Sequence, residues 1–280
     1  MSTPETPLLE IRDLRVAYGN VVAVHGISLR VRSGQVVTLI GPNGAGKTST
    51  LAAVAGLLRP QGGAVLFEGR DVTGLPAHRA VGQGIVLDGE RIDGMASHVI
   101  AARGITRTYQ NIRLFPALTA ADNVLVGAHL KRHAPLWRRM AFLPSAATEE
   151  RAAREAAVAL LERVGMSERA HERASNLSYG EQRRVEIARA LASSPRVMLL
   201  DEPTAGMNPG EVTAIADLIR GVARAGHSVL LVEHNVKLVM AVCDRITVLD
   251  FGKVIADGTP AEVGRDPAVI AAYLGGEAAA

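Results

Sequence analysis

The chain is predicted to fold as an α/β protein built on a parallel sheet with crossover helices, and three observations predict it. Short apolar runs at 197–200, 229–232 and 246–249 alternate with helical stretches at 209–225 and 235–242. Strands spaced this way lie parallel, because a helix carries the chain back between them. A further apolar strand at 35–40 leads through a glycine-rich loop into a helix at 48–58. Residues 8–37 read differently: β-branched runs broken by Gly19-Asn20 and Ser33-Gly34 indicate strands joined by turns.

Composition agrees with a packed fold. Of 280 residues, 48% are hydrophobic and 21% charged, which excludes a disordered or fibrous chain and bounds the protein to one large domain or two small ones. Lys and Arg (31) exceed Asp and Glu (28) by only three charges, so the basic isoelectric point is no nucleic-acid signature. Aromatic residues, at 3%, are too few for base-stacking platforms. Cys243 is the only cysteine, which excludes an internal disulfide and fits a reducing compartment. The first ten residues lack a basic stretch followed by an apolar run, and no apolar run reaches the roughly 18 residues a spanning helix needs. The expectation is a soluble chain whose membrane role comes from a partner.

Taken in order, residues 1–7 form a loose tail with two prolines, and the helix after the glycine loop stops near Pro60 and Gly62-Gly63. Residues 67–85 and 87–105 then align at an offset of 20, with Gly69/Gly89, Gly74/Gly94, His78/His98, Gly84/Gly104 and Ile85/Ile105 coinciding. This is a duplicated strand–turn–helix unit spanning about 65–105, too short a series for a solenoid. Residues 107–147 are less regular, with Pro116, Pro135 and Pro144. Amphipathic helices follow at 148–164 and 179–192, and a last helix at 260–274 precedes a Gly/Ala tail.

The loop Gly41-Pro42-Asn43-Gly44-Ala45-Gly46-Lys47-Thr48 matches G-x-x-x-x-G-K-[ST] and sits between a predicted strand and a predicted helix, the context that gives the motif meaning. Successive backbone N–H groups must turn inward around phosphate oxygens, which requires residues without bulk and with freedom in φ. The helix start adds its dipole. Lys47 supplies a point charge to the β- and γ-phosphates, and the Thr48 hydroxyl is a Mg²⁺ ligand. Ser49 continues the same binding segment.

The strand at 197–200 ends in Asp201-Glu202. Carboxylates at the C-terminal edge of a sheet stand near the phosphate loop of a neighbouring strand, so Asp201 can hold Mg²⁺ and Glu202 can polarise an attacking water. Upstream, Ser178 and Glu181 have capping-box spacing at a helix start that also carries Gly180, and such a start is an anion site as well as a cap.

Together these motifs give a specific match. The phosphate loop, Leu177-Ser178-Tyr179-Gly180-Glu181-Gln182 as an LSGGQ-like signature, and Asp201-Glu202 occur in that order and spacing. The sequence closely resembles the nucleotide-binding subunits of ABC transporters across residues 8–274. More narrowly, Arg107-Thr108-Tyr109-Gln110-Asn111-Ile112-Arg113-Leu114-Phe115, the stretch 201–208 and Ala272-Tyr273-Leu274-Gly275 look like the ATPase subunits of branched-chain amino acid importers.

The resemblance implies a P-loop NTPase (RecA-like) core with an antiparallel β subdomain and an inserted helical subdomain at about 111–195, all within one nucleotide-binding domain at 8–274. It implies ATP and Mg²⁺ as ligands. Tyr18 matches the aromatic that stacks on adenine. Gln110 matches the glutamine that reaches Mg²⁺ and the attacking water while linking the site to the membrane partner. His234 matches the histidine that contacts the γ-phosphate. Two such domains pair head to tail, so that Ser178, Gly180 and Glu181 of one chain complete the ATP site of the other. The second domain is another copy or a paralogue. The further partners are transmembrane permease subunits and, indirectly, a solute-binding protein outside the membrane, with no nucleic acid. The chain would sit peripherally on the cytoplasmic face of the cell membrane.

Three departures stand out. Asn208 takes a position where many family members carry Asp. Tyr179 replaces a glycine of the signature. The duplicated unit exceeds the usual single one: either the second copy takes the regular place with the first as an accessory hairpin or loop at the sheet edge, or the assignment is the opposite. The segment 113–137 could face the membrane partner, while Lys131, Arg132, His133, Arg138 and Arg139 read as a solvated face. The rival to an ATPase is a nucleotide-binding regulatory module with little hydrolysis.

Overall fold

The computed structural model describes residues 6–73, 86–87, 90–91, 104–108, 110–128 and 144–274. The tails (1–5, 275–280), most of the duplicated unit, Tyr109 and the basic stretch at 131–139 lie outside the described residues.

β1 (Leu9–Tyr18) and β2 (Val21–Val31) form a hairpin that turns at Gly19-Asn20, with Gly19 at φ 59°. A second turn at Ser33-Gly34 releases β3 (Val36–Ile40) into a different sheet. The phosphate loop follows, then α1 (Lys47–Val54). This helix ends four residues before the predicted boundary, where Gly56 at φ 67° takes the left-handed conformation that closes a helix.

β4 (Gly62–Phe67) returns to pair with β1, and β5 (Arg70–Asp71) pairs with β4, giving an antiparallel sheet in the order β2-β1-β4-β5. β6 (Val86–Leu87) and β7 (Glu90–Arg91) repeat the β4–β5 hairpin in the same register: Leu66 opposite Asp71 and Phe67 opposite Arg70 become Val86 opposite Arg91 and Leu87 opposite Glu90. The two hairpins take different places. The first copy joins the antiparallel sheet, because Val65 and Phe67 of β4 are buried in the core shared with β1. The second forms a two-stranded sheet of its own. β8 (Ile105–Arg107), which begins at the last residue of the second copy, enters the large sheet.

α2 (Ala120–Gly127), α3 (Pro144–Arg163) and α4 (Tyr179–Ala192) pack on one another around Val124, Leu161, Met166, Val185 and Ala188. The chain then alternates: β9 (Val197–Asp201), α5 (Pro209–Arg224), β10 (Ser228–Val232), α6 (Val236–Val242) and β11 (Arg245–Asp250). An antiparallel edge strand, β12 (Lys253–Gly258), completes a six-stranded sheet in the order β12-β11-β3-β10-β9-β8. The predicted last helix is two pieces, α7 (Pro260–Val263) and α8 (Pro267–Leu274), because Pro267 fits the first turn of a new helix and cannot continue the old one.

The central strands β3, β9 and β10 are buried on both faces, which is why they read as apolar runs. Val37, Leu39, Leu199, Leu230 and Val232 face the core shared with β1, β4 and α1. Val36, Ile40, Met198, Leu200, Val229 and Leu231 face the opposite way, onto Ile215, Ile219 and Val222 of α5 and Leu238 and Val239 of α6. Each fully buried aliphatic side chain contributes about 1.5–3 kcal/mol. The two faces therefore fix the strand register, and a one-residue slip would exchange them.

Candidate active site

β3, β10 and β9 run parallel, so their C-terminal ends open on one edge of the sheet, where open α/β folds gather ligands. The sequence expectation of neighbouring strands is corrected here: β10 lies between β3 and β9. The edge accordingly collects three loops, the phosphate loop after β3, Glu202 after β9 and His234 after β10.

Gly41, Gly44 and Gly46 of the phosphate loop have φ of 149°, 82° and 93°. At Gly41 a Cβ would collide with the backbone carbonyl of Leu249 on β11, so the tight entry to the loop tolerates only glycine. Lys47 is buried, and its Nζ donates to the carbonyls of Gly41 (2.7 Å) and Pro42 (2.9 Å), spanning the loop. Burial lowers the Lys47 pKa below its ordinary value, while the charges of Glu202 and Asp201 act against that shift. Pro42 and Ser49 are half-buried, Ala45 is buried, and Asn43, Gly44 and Thr48 are exposed. Half-exposed Tyr18 at the end of β1 meets Ser49, hydroxyl to hydroxyl, at 3.2 Å.

The backbone of Glu202 is left-handed, with φ 44°, and its N–H donates to the Val232 carbonyl at 2.9 Å. Gln110 Nε2 donates to Glu202 Oε2 at 2.9 Å, and His234 Nδ1 lies 4.0 Å from the same oxygen. Three residues from distant parts of the chain therefore meet at one carboxylate. Asp201 is buried, and its Oδ2 accepts a hydrogen bond from Arg107 Nη2 at 2.7 Å. Its Oδ1 is buried without a protein partner. An acceptor left open in this way is costly unless something occupies it, and it suits a hard cation or a water bound to one. Among the described residues no group of three His, Cys, Asp or Glu forms a metal cage. The oxygens present, Asp201 with the exposed Thr48 hydroxyl, fit Mg²⁺, which takes one or two protein oxygens and completes its shell with phosphates and water.

Ser178, Gly180 and Glu181 open α4. Ser178 Oγ accepts from the Glu181 N–H at 3.3 Å, and the Glu181 carboxylate accepts from the Ser178 N–H at 2.8 Å. That contact holds the Glu181 pKa below the ordinary carboxylate value. Among the described residues the Ser178 and Glu181 side chains contact each other's backbone and Arg169, and none of these partners belongs to the phosphate loop. Asn208, the first departure, caps α5 through a reciprocal pair with Glu211 at 3.0 Å each way. A neutral Asn satisfies that role as well as Asp does.

Sequence reasoning missed two arginines. Arg107, at the end of β8, is Asp201's partner. Arg183 is fully buried on α4 and donates to Glu186 Oε2 (2.6 Å), to the Gln110 carbonyl (2.6 Å) and to the Tyr179 hydroxyl (3.2 Å). Tyr179 thus has a partner away from the start of the helix, which accounts for an aromatic in place of the signature glycine. Arg107 lies 94 positions from Asp201 and Arg183 lies 73 from Gln110, so no local pattern records those two contacts, although Glu186 and Tyr179 stand at helical spacing from Arg183.

A glycine loop that cradles phosphate at the edge of a parallel sheet, faced by an acidic strand end, defines a P-loop nucleotide-binding protein. The chain belongs to the ABC transporter family, whose model matches residues 24–205. A second model, of the branched-chain amino acid ATP-binding cassette transporter, matches residues 253–279. Curated relatives include the high-affinity branched-chain amino acid transport ATP-binding protein BraF of Pseudomonas aeruginosa, 40% identical over 96% of this chain and 98% of that protein. LivG of Escherichia coli, with the same description, is 37% identical over 96% of this chain and 98% of its own length. The lipopolysaccharide export system ATP-binding protein LptB of Acidithiobacillus ferridurans is 37% identical over 96% and 97%. Among solved structures, the ADP conformation of an ATP-binding cassette of an ABC transporter superposes with a TM-score of 0.77 at 28% identity, covering 96% of this chain and 99% of that one.

Proposed function

We propose that this chain is the ATP-hydrolysing subunit of an importer that takes up branched-chain amino acids or related small solutes. The observation that supports this reading is the meeting of Gln110 and His234 at the Glu202 carboxylate, on the sheet edge that also carries the Lys47 loop. The names of BraF and LivG support the cargo, and so does the family match at 253–279.

In this reading residues 8–274 form one nucleotide-binding domain, and its helical subdomain at about 111–195 faces the membrane partner. The backbone of residues 41–49 and Lys47 bind the phosphates of ATP, and Tyr18 stacks on adenine. Asp201, Thr48 and Gln110 hold Mg²⁺, which screens the phosphate charge. Glu202 orients or deprotonates the water for in-line attack, with His234 on the γ-phosphate. Ser178, Gly180 and Glu181 of a second ATPase subunit, another copy or a paralogue, close the site. Catalysis is then largely preorganised electrostatics and positioning. Gln110 carries closure and reopening to a pair of permease subunits, which a solute-binding protein supplies. In this reading the chain attaches to the cytoplasmic face of the membrane through those subunits. No helix among the described residues is long and apolar enough to cross a membrane.

The test is Glu202→Gln. ATP binding should persist while phosphate release falls by at least about a hundredfold. Release near the parent rate would reject Glu202 as the base, and absent release in the parent would favour a regulatory module.

A further inference from the structure

We infer that Glu233 is a positioning residue that holds Glu202 and His234 in their reactive arrangement, an inference that rests on the proposed ATPase reading. Glu233 lies between β10 and His234 and is fully buried. One oxygen, Oε1, accepts from the Thr204 N–H (3.0 Å) and the Thr204 hydroxyl (2.6 Å). The other, Oε2, accepts from the N–H groups of His234 (3.0 Å) and Asn235 (3.2 Å). A carboxylate offers about four acceptor sites, and all four are met by donors. Each oxygen serves a different loop, so this one side chain ties the segment after β9 to the segment after β10.

The tie bears on chemistry because of what it flanks. Glu202 sits in a left-handed backbone at φ 44°, which persists in a non-glycine residue only when its surroundings over-determine it. On its upstream side the Glu202 N–H is pinned to Val232. Two residues downstream, Thr204 is pinned by Glu233. The same carboxylate fixes the backbone of His234, whose ring approaches Glu202 Oε2. Releasing Glu233 would therefore relax the base and the histidine together while leaving the phosphate loop in place.

Glu233→Gln tests this, because its amide can accept at one end only and would turn an NH2 group toward two donors. We expect kcat for ATP hydrolysis to fall by about tenfold or more, with KM and the affinity for a fluorescent ATP analogue changing less than about threefold. In the nucleotide-free protein, amide hydrogen exchange should speed up at Thr204, His234 and Asn235. Thr204→Val removes one bond and should lower kcat in the same sense, and Thr204→Ser should recover most of that loss. Should E233Q not fold, this threonine pair decides. A parental kcat and unchanged exchange in E233Q, or a loss confined to KM, would overturn the inference, as would a parental kcat in T204V. The underlying reading fails separately: parental hydrolysis by E202Q sinks it, whereas parental hydrolysis by E233Q beside an inactive E202Q sinks only the role of Glu233.

Discussion

Replacing Arg183 by Met should destabilise the packing of α4 against the Gln110 segment by about 3 kcal/mol. Arg183 and Glu186 are both buried, with 0% and 2% side-chain exposure, and their contact is 2.6 Å. Removing one member of a buried pair costs about 3–5 kcal/mol, because the remaining charge keeps its desolvation without its partner. Here the cost falls at the lower end: Arg189 approaches Glu186 at 3.8 Å, and the Arg113 N–H donates to it at 3.4 Å. At about 2–4 °C per kcal/mol for a chain of this size, the melting temperature should drop by about 6–12 °C. The pH dependence has a definite sign. Burial raises the Glu186 pKa above its ordinary 4.5, and the Arg183 charge is the largest influence against that rise. A raised carboxyl costs stability as pH climbs from the unfolded value through the folded one, because the folded state then binds more protons. Without Arg183 the rise is larger, so the deficit of R183M relative to the parent should shrink as pH is lowered toward 4.5. Thermal melts of the parent, R183M and the double variant R183M/E186L, taken across pH, measure all of this. The double variant should recover most of the loss, since an apolar pair of similar volume is often neutral in place of a buried ion pair. An R183M melt within about 1 °C of the parent, or a double variant less stable than R183M, refutes the reasoning.

Two further outcomes follow from the site and the core. Gly41→Ala puts a Cβ against the Leu249 carbonyl from a backbone at φ 149°, so the loop must open. Equilibrium binding should show ATP affinity falling by about tenfold or more, and parental affinity would mean that the entry to the loop is not tight. The Cys243 thiol is pushed up to about 12 by burial first, with the Asp244 charge acting in the same direction. Only the thiolate is nucleophilic, so at pH 8 a disulfide reagent should label the folded protein at least about a hundredfold more slowly than the denatured one, and comparable rates would show the thiol to be accessible.

The readable parts of the fold were those held by local rules. β3, β9 and β10 announced themselves because both faces of each are buried, and α4 because Ser178 caps it with a Glu three residues on. The phosphate loop was legible for a similar reason, since a backbone cradle needs its glycines at a set spacing. Sheet order was not, because placing β10 between β3 and β9 is a long-range choice that no residue in those strands records. The two hairpins of the duplicated unit share one register, so their local sequence could not say which would join β1. That was decided by burial of Val65 and Phe67.

The same division runs through the site and bears on how it works. Gln110 was singled out by resemblance as one side chain reaching the reaction centre. In the fold it is held at both ends: its amide donates to Glu202 and its carbonyl accepts from Arg183, which in turn holds Tyr179 and Glu186 of the signature helix. A displacement of α4 cannot leave the Glu202 contact untouched unless the 2.6 Å bond to the Gln110 carbonyl breaks first. That bond is charge-assisted and part-buried, so it resists the displacement. Arg183 therefore links the helix start to the Glu202 edge, and the strong local motifs mark the two ends of that connection while its middle is supplied by tertiary packing.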